Sequence, residues 1–244
     1  MKILFVGPTL HGEVRDGRLA GASDLACRGP AAQGDVAKAV LEGATAIGLV
    51  DGRYENVAAP WHKEFLFALS EGVCVFGAGS LGALRAAECA AFGMIGVGTI
   101  FERYVSGAMV DDSDVAQLHG PAELDYLPFT EALVNIEETF RLLARRGLLD
   151  AGRSAHLCDV ARTIFFKDLT FDAVLERAGF AGANLAAMSA LIERHRVDLK
   201  RMDAHLLVAR MRALPPRRDP KKLSWVLSEP LSWRTQIERL KSAR

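Results

Sequence analysis

Gly72-Val73-Cys74-Val75-Phe76-Gly77-Ala78-Gly79-Ser80-Leu81-Gly82-Ala83-Leu84-Arg85-Ala86-Ala87-Glu88 is the stretch that decides the fold. Its first five residues are an apolar, β-branched run of strand length. The glycines that follow allow a sharp turn, and the alanine-rich remainder suits a helix small enough on its surface to lie close on a sheet. Strand, tight turn and helix in that order make one unit of an open sheet covered by helices.

Outward from this unit the same pattern recurs. Lys2 to Val6 reads as a first strand and Ala44 to Val50 as a second, closed by the Asp51-Gly52 turn. Gly72 to Phe76 is then the third, and Met94 to Phe101 a further strand weakened by Gly96 and Gly98. Gly12 to Gly34 reads as a long loop, and Asp35 is placed to cap a helix through Val36, Ala39 and Val40. Pro60 opens another helix, with Trp61, Phe65 and Leu69 on one face. Residues 1–125 are therefore expected to form an α/β domain with a mostly parallel, Rossmann-like sheet flanked by helices.

From Pro128 the period changes. Phe129, Leu133, Ile136, Phe140 and Leu143 line one helical stripe, which Gly147 ends. Thr170 is placed to cap a short helix ending at Gly179, and a longer helix runs from about Asn184 until Pro215-Pro216 stops it. Residues 126–244 are expected to be a helical region.

The chain has 244 residues, half of them hydrophobic, and zero formal net charge, so a large core is available and nothing points to a nucleic-acid or membrane-surface partner. The charge is uneven: from Leu191 onward fourteen Lys and Arg face six Asp and Glu, a basic tail on an acidic body. Within that tail Trp225 and Trp233 sit among apolar residues and suggest docking onto the body or a partner, the other reading being a solvated, frayed terminus. Cys27, Cys74, Cys89 and Cys158 show no C-x-x-C spacing, which fits a reducing compartment. The first residues lack the pattern of a signal peptide and no segment suits a bilayer, so a cytoplasmic location is expected. Asp111, Asp112 and Asp114 with His119 are able to hold a cation, but a carboxylate-rich turn reads first as a solvated cap. No metal and no cofactor are expected.

The chemistry centres on Ser80. A turn of small residues between strand and helix lifts its hydroxyl to the edge where open parallel sheets bind ligands, and the helix start offers free N–H groups to an anion. Leu81 and Gly82 are the expected donors, with Thr9 adding a third from the loop after the first strand, since Pro8 has none. The plainer reading is that Ser80 only caps the helix. Nucleophilic use requires a base, and Lys63 lies in the first turn of the helix after Pro60, where the helix dipole disfavours an ammonium. A solvated lysine paired with a glutamate is the alternative. Arg85, His62 and Asp51 are further candidates for substrate or partner contact, although Arg85 and Glu88, three apart on a helix, also suit a surface ion pair. A rival for the same turn is a dinucleotide site, because Gly77, Gly79 and Gly82 fit G-x-G-x-x-G and Glu102 lies about twenty residues on.

Taken together, Phe5-Val6-Gly7-Pro8-Thr9-Leu10, Trp61-His62-Lys63-Glu64, Gly79 through Glu88, and Phe92-Gly93-Met94-Ile95-Gly96-Val97-Gly98 resemble the TfuA family over about the first half of the chain. The resemblance implies a partner of YcaO enzymes, which use ATP to activate a peptide backbone amide for replacement of its oxygen by sulfur. It further implies hydrolysis of a thiocarboxylated ThiS-like carrier to release sulfide, with a Ser–Lys pair at Ser80 and Lys63. A non-catalytic adaptor that clamps a YcaO enzyme and its peptide substrate is the remaining alternative.

Overall fold

Ile3 and Phe5 face one side of the first strand, Leu4 and Val6 the other, and all four are buried. A strand of that kind needs cover on both faces. The computed structural model, which describes residues 1–19, 25–53, 55, 57–219 and 223–242, supplies it. Strands β1 (Lys2–Phe5), β2 (Leu25–Arg28), β3 (Ala46–Leu49), β4 (Cys74–Ala78) and β5 (Ile95–Val97) form one sheet in the order β2-β1-β3-β4-β5, every pair parallel. The chain winds outward in two directions from β1 and β3, and a crevice opens between their carboxyl ends.

In the sheet, β2 and β5 depart from the expectation. β2 lies inside the stretch read as a loop, of which residues 20–24 are outside the described residues. β5 is three residues long, because Gly98 at φ 92° turns the chain and Thr99 starts a helix.

Helices α1 (Asp35–Leu41), α2 (His62–Ser70) and α3 (Leu81–Cys89) cover one face, where Val36, Val40, Phe65 and Ala86 meet Ile3, Phe5, Ile47 and Val75. Helix α4 (Thr99–Val105) follows β5. The helical half begins with α5 (Leu133–Arg145), α6 (Ala151–Arg162), α7 (Phe171–Arg177) and α8 (Gly182–His195), which share a second core built on Ile136, Phe140, Leu143, Leu157 and Leu175. Thr170 caps α7 as expected, its hydroxyl accepting from the Ala173 N–H at 3.0 Å.

The long helix expected from Asn184 to Pro215 is two helices. Arg196 is extended, and Asp198 then caps α9 (Leu199–Ala213) by accepting from the Arg201 N–H at 3.0 Å. α9 returns to the sheet and lays Ala204, Leu207, Val208 and Met211 on Leu4, Val6, Phe76 and Ala78. Gly48 in β3 permits the approach, since a Cβ there would stand 2.4 Å from the Met211 sulfur. At about 1.5–3 kcal/mol for each large apolar side chain buried, this stripe is what holds α9 in place.

The tail docks on the body. Trp233 of α10 (Leu231–Ser242) is 1% exposed and meets Trp61 and Phe67 edge-on, with ring centroids 6.4 and 5.5 Å away. Trp225 donates from Nε1 to the Phe92 carbonyl at 3.1 Å, and Arg218 donates to the carbonyls of Val40 and Ala44. Trp233→Ala is expected to cost about 3–5 kcal/mol in urea unfolding. It should also open the segment after Pro215 to limited proteolysis, whereas an unchanged midpoint would mean that the tail is not held by this ring.

Candidate active site at the carboxyl edge of the sheet

β4 ends at Ala78, and Gly79 takes φ 72°, a left-handed conformation that side chains disfavour. The Ser80 N–H closes the turn by donating to the Ala78 carbonyl at 2.8 Å. Ser80 thereby stands at the N-cap position of α3, 9% exposed, yet its side chain makes no capping hydrogen bond. The hydroxyl makes no hydrogen bond to another described residue, and the capping reading lacks the bond that would support it.

The glycines around it serve packing. A Cβ on Gly77 would fall 2.0 Å from the Gly82 carbonyl oxygen, and one on Gly82 would fall 1.9 Å from that of Leu49. Helix and strands are that close. The Gly82 N–H donates to the Val50 carbonyl at 3.1 Å, so it is not the free anion donor expected of it. The Leu81 N–H, in the first turn of α3, has no acceptor among the described residues. The dinucleotide reading is weakened at Gly79, the glycine that in such a turn lets backbone approach a pyrophosphate, because a Cβ there would fall 2.8 Å from the Lys200 carbonyl oxygen and that space is filled by backbone.

Across the switch point, Asp51 is 2% exposed and ties the loop after β1 to the end of β3. Its carboxylate accepts from the Gly7 N–H at 2.8 Å, the Thr9 N–H at 3.1 Å and the Thr9 hydroxyl at 2.6 Å. Thr9 therefore braces the loop with the N–H expected for an oxyanion, and Asp51 is a brace in place of an open substrate contact.

Lys63 lies elsewhere. Its amine donates to the carbonyl of Ser228 in the tail, and its neighbour His62 meets Glu88 at 2.8 Å. Glu88 is eight residues beyond Ser80 on α3, about 12 Å along the axis. The structure brings Lys63 into no hydrogen bond with Ser80 among the described residues. Arg85 pairs with Glu88 at 2.5 Å, as their spacing suggested, and together with His62 they form a cluster near the far end of α3.

The lysine that the edge does contain was missed in the sequence. Lys200, in the first turn of α9, is 1% exposed, and its carbonyl oxygen lies 2.8 Å from where a Cβ on Gly79 would be. Its amine donates to the Val115 carbonyl at 2.8 Å and to Gln117 Oε1 at 2.6 Å. Burial lowers the basicity of this amine, with the negative charges of Asp51, Asp198 and Glu131 opposing. Gln117 also lines an open cleft of about 490 Å³ with Pro30, Arg53, His119, Tyr126 and Lys167. Concavities of about 540 and 650 Å³ lie in the helical half, the first lined in part by Thr130 and Glu131, to which Gln117 donates.

The acidic stretch is a capped turn. Asp111 accepts from the Ser113 N–H at 2.9 Å, while the His119 ring contacts the Gly120 carbonyl and Tyr126. Among the described residues no group of three His, Cys, Asp or Glu is arranged to hold a metal. Burial, and then the charges of Asp111 and Glu137, push the Asp114 carboxyl up to about 6. A carboxyl raised in this way binds its proton more tightly folded than unfolded, so its contribution falls as pH rises from about 4 to about 6 and is gone above. Asp114→Asn is expected to remove that dependence and to add about 1 kcal/mol at pH 8, after discounting for partial exposure, in pH-resolved thermal unfolding.

Among the described residues no helix is long and apolar enough to cross a membrane. No curated protein matches the chain. Residues 51–170, which run from the brace at Asp51 through the Ser80 turn to the cap at Thr170, match the family model described as TfuA-like protein. On that match residues 51–170, just under half of the chain, are TfuA-like.

Proposed function

We propose that this chain serves a YcaO enzyme in peptide backbone thioamidation by hydrolysing the terminal thiocarboxylate of a ThiS-like sulfur carrier at Ser80. Proteins of the matched family act beside YcaO enzymes in general terms. The observation that carries the finer reading is the uncapped Ser80 hydroxyl on a tight turn at a helix N-terminus, beside the unengaged Leu81 N–H.

In the reaction Ser80 Oγ bonds to the thioacid carbon, the C–S bond breaks, and the serine proton leaves with the sulfur as hydrosulfide. Water then cleaves the ester, giving carboxylate and a proton and restoring the serine. Hydrosulfide is a good leaving group, so the demand falls on two things: an amine to take the serine proton, and positive stabilisation of an intermediate built from an already anionic substrate. The N-terminus of α3 and the Leu81 N–H answer the second. For the amine, the family resemblance points to Lys63, and the sheet edge holds Lys200.

Incubating the chain with a thiocarboxylated ThiS-like protein and weighing the carrier by mass spectrometry tests the reading. Return of the carrier as carboxylate with release of sulfide is expected. A carrier that binds together with a YcaO enzyme but keeps its sulfur would favour the adaptor.

A further inference from the structure

We infer that the cleft beside Gln117 receives the extended C-terminus of the sulfur carrier as an added strand, paired with the main chain of His119 and led from there to Ser80. The choice of carrier rests on the proposed function; the cleft and its chemistry do not.

Three features of the cleft carry it. The first is where it leads. Ser80 is 9% exposed, so a reacting carbon reaches it only at the end of a slender chain. The cleft lining includes Arg53, whose neighbour Gly52 is packed on Leu81, since a Cβ on that glycine would stand 2.1 Å from Leu81 Cδ2. It also includes Gln117, which accepts from the Lys200 amine, and the Lys200 carbonyl lies against Gly79. The cleft is thus joined to the residues on either side of Ser80. Its volume of about 490 Å³ is that of a small-ligand site, which admits a short run of peptide and excludes a folded domain.

The second is an open edge of main chain. Residues 118–120 run antiparallel to 127–129, where the Phe129 N–H donates to the Leu118 carbonyl and the Gly120 N–H to the Leu127 carbonyl, both at 2.8 Å. His119 and Pro128 face each other between these bonds. A residue so placed turns its own N–H and C=O away from the residue opposite. Neither group of His119 has a hydrogen-bond partner among the described residues, and His119 lines the cleft. An unpaired donor and acceptor on extended chain fit a peptide that adds itself as a strand, with main-chain bonds supplying the affinity. The connection to Ser80 selects the carrier's C-terminus, which bears the reacting carbon, over the interior of a peptide to be thioamidated.

The third is that this edge is held in place before any ligand arrives. Asp125 and Tyr126, between the two runs, both take left-handed conformations, at φ 51° and 57°. Side chains disfavour them, and such strain persists where the surroundings impose it. Here the Gly12 N–H donates to the Asp125 carboxylate, and the His11 ring contacts the Asp125 carbonyl, each at 2.8 Å. The turn lays the Tyr126 ring on the bare main chain of Gly7 and Gly29, beyond the ends of β1 and β2. A Cβ on Gly29 would fall 2.1 Å from the tyrosine oxygen. Residues 118–130 are thereby fastened to the sheet, and an incoming strand meets an edge that needs no ordering.

A photo-crosslinking benzoylphenylalanine at position 122, where Ala122 is exposed and lines the cleft, tests this on the full chain. The probe is a ThiS-like carrier in its carboxylate form, so that no turnover is needed. Irradiation is expected to join position 122 to the C-terminal segment of the carrier. Crosslinks confined to the folded body of the carrier, no crosslink at all, or crosslinking to the peptide substrate of the YcaO enzyme in preference to the carrier would each overturn the inference. Two substitutions test the main-chain bond. His119→Ala removes the ring and keeps the N–H, whereas His119→Pro removes both, at an edge where no internal hydrogen bond is lost. Carrier binding is expected to be about tenfold weaker or more in the proline variant than in the alanine variant, the measure of a lost hydrogen bond. A folded His119→Pro that binds as His119→Ala does overturns the inference, and if the proline variant does not fold, the crosslink decides. If the carrier is crosslinked through its C-terminus yet keeps its sulfur when thiocarboxylated, the cleft assignment stands and the proposed hydrolysis falls. If sulfide release depends on Ser80 and proceeds without that crosslink, this inference falls alone.

Discussion

Ser80→Ala is expected to lower sulfide release from a thiocarboxylated carrier by about a thousandfold or more, in line with the loss of a nucleophile from other acyl-transfer sites. The variant should unfold within a few tenths of a kcal/mol of wild type. These two measurements together separate chemistry from architecture. An N-cap serine whose side chain bonds the helix would cost about 1 kcal/mol on replacement. The Ser80 side chain makes no such bond, so its removal takes little from α3. Full turnover by the alanine variant, or a stability loss of a full cap bond with turnover intact, would make Ser80 a structural residue. The residual rate is itself informative, since the Leu81 N–H and the helix start remain in the variant and should still stabilise a tetrahedral anion formed by direct attack of water.

The largest stability effect at the site is expected from Asp51→Ala. Three donors, the Gly7 N–H, the Thr9 N–H and the Thr9 hydroxyl, lose their acceptor in a place that is 2% exposed. Each unsatisfied buried donor costs about 1–3 kcal/mol, partly offset by water entering the gap, so a total of about 3–5 kcal/mol is expected in urea unfolding. Asp51→Asn keeps one carbonyl oxygen and puts an amide NH2, itself a donor, in place of the other acceptor, and about half that loss should follow. Turnover should fall in both variants, because the brace joins the two strand ends between which the crevice opens. If Asp51→Ala instead keeps its stability and loses only activity, the carboxylate belongs to substrate binding.

The sheet was legible in the chain because β1, β3 and β4 are short apolar runs, each followed by residues that turn. β2 escaped notice: Leu25-Ala26-Cys27-Arg28 is half-buried, ends on a charge and lies in a glycine-rich stretch, so it has neither the apolar continuity of a central strand nor a clean alternation. The Ser80 turn was also legible, since small residues and a hydroxyl at fixed offsets describe it locally. Its partners were not. Gly82 and Thr9 were expected to offer free N–H groups, and both are taken by groups far along the chain: Val50 lies thirty-two residues from Gly82, and Asp51 forty-two from Thr9. Local pattern does not report such pairings. Lys200 was readable in principle. It shares a helical stripe with Ala204, Leu207, Val208 and Met211, so the period that buries those four buries the lysine with them. Its charge, set among the basic residues of the tail, disguises that place as part of a solvated surface.

The late arrival of α9 governs how the molecule is made. When β5 leaves the ribosome, Leu4, Val6, Phe76 and Ala78 line a sheet face whose cover is encoded more than a hundred residues downstream. At translation speeds of about 5–20 residues per second, that surface stays bare for roughly 6–20 s. The nascent chain is therefore expected to depend on holding factors during this interval, and any truncation short of Met211 should yield a sticky product retained in inclusion bodies.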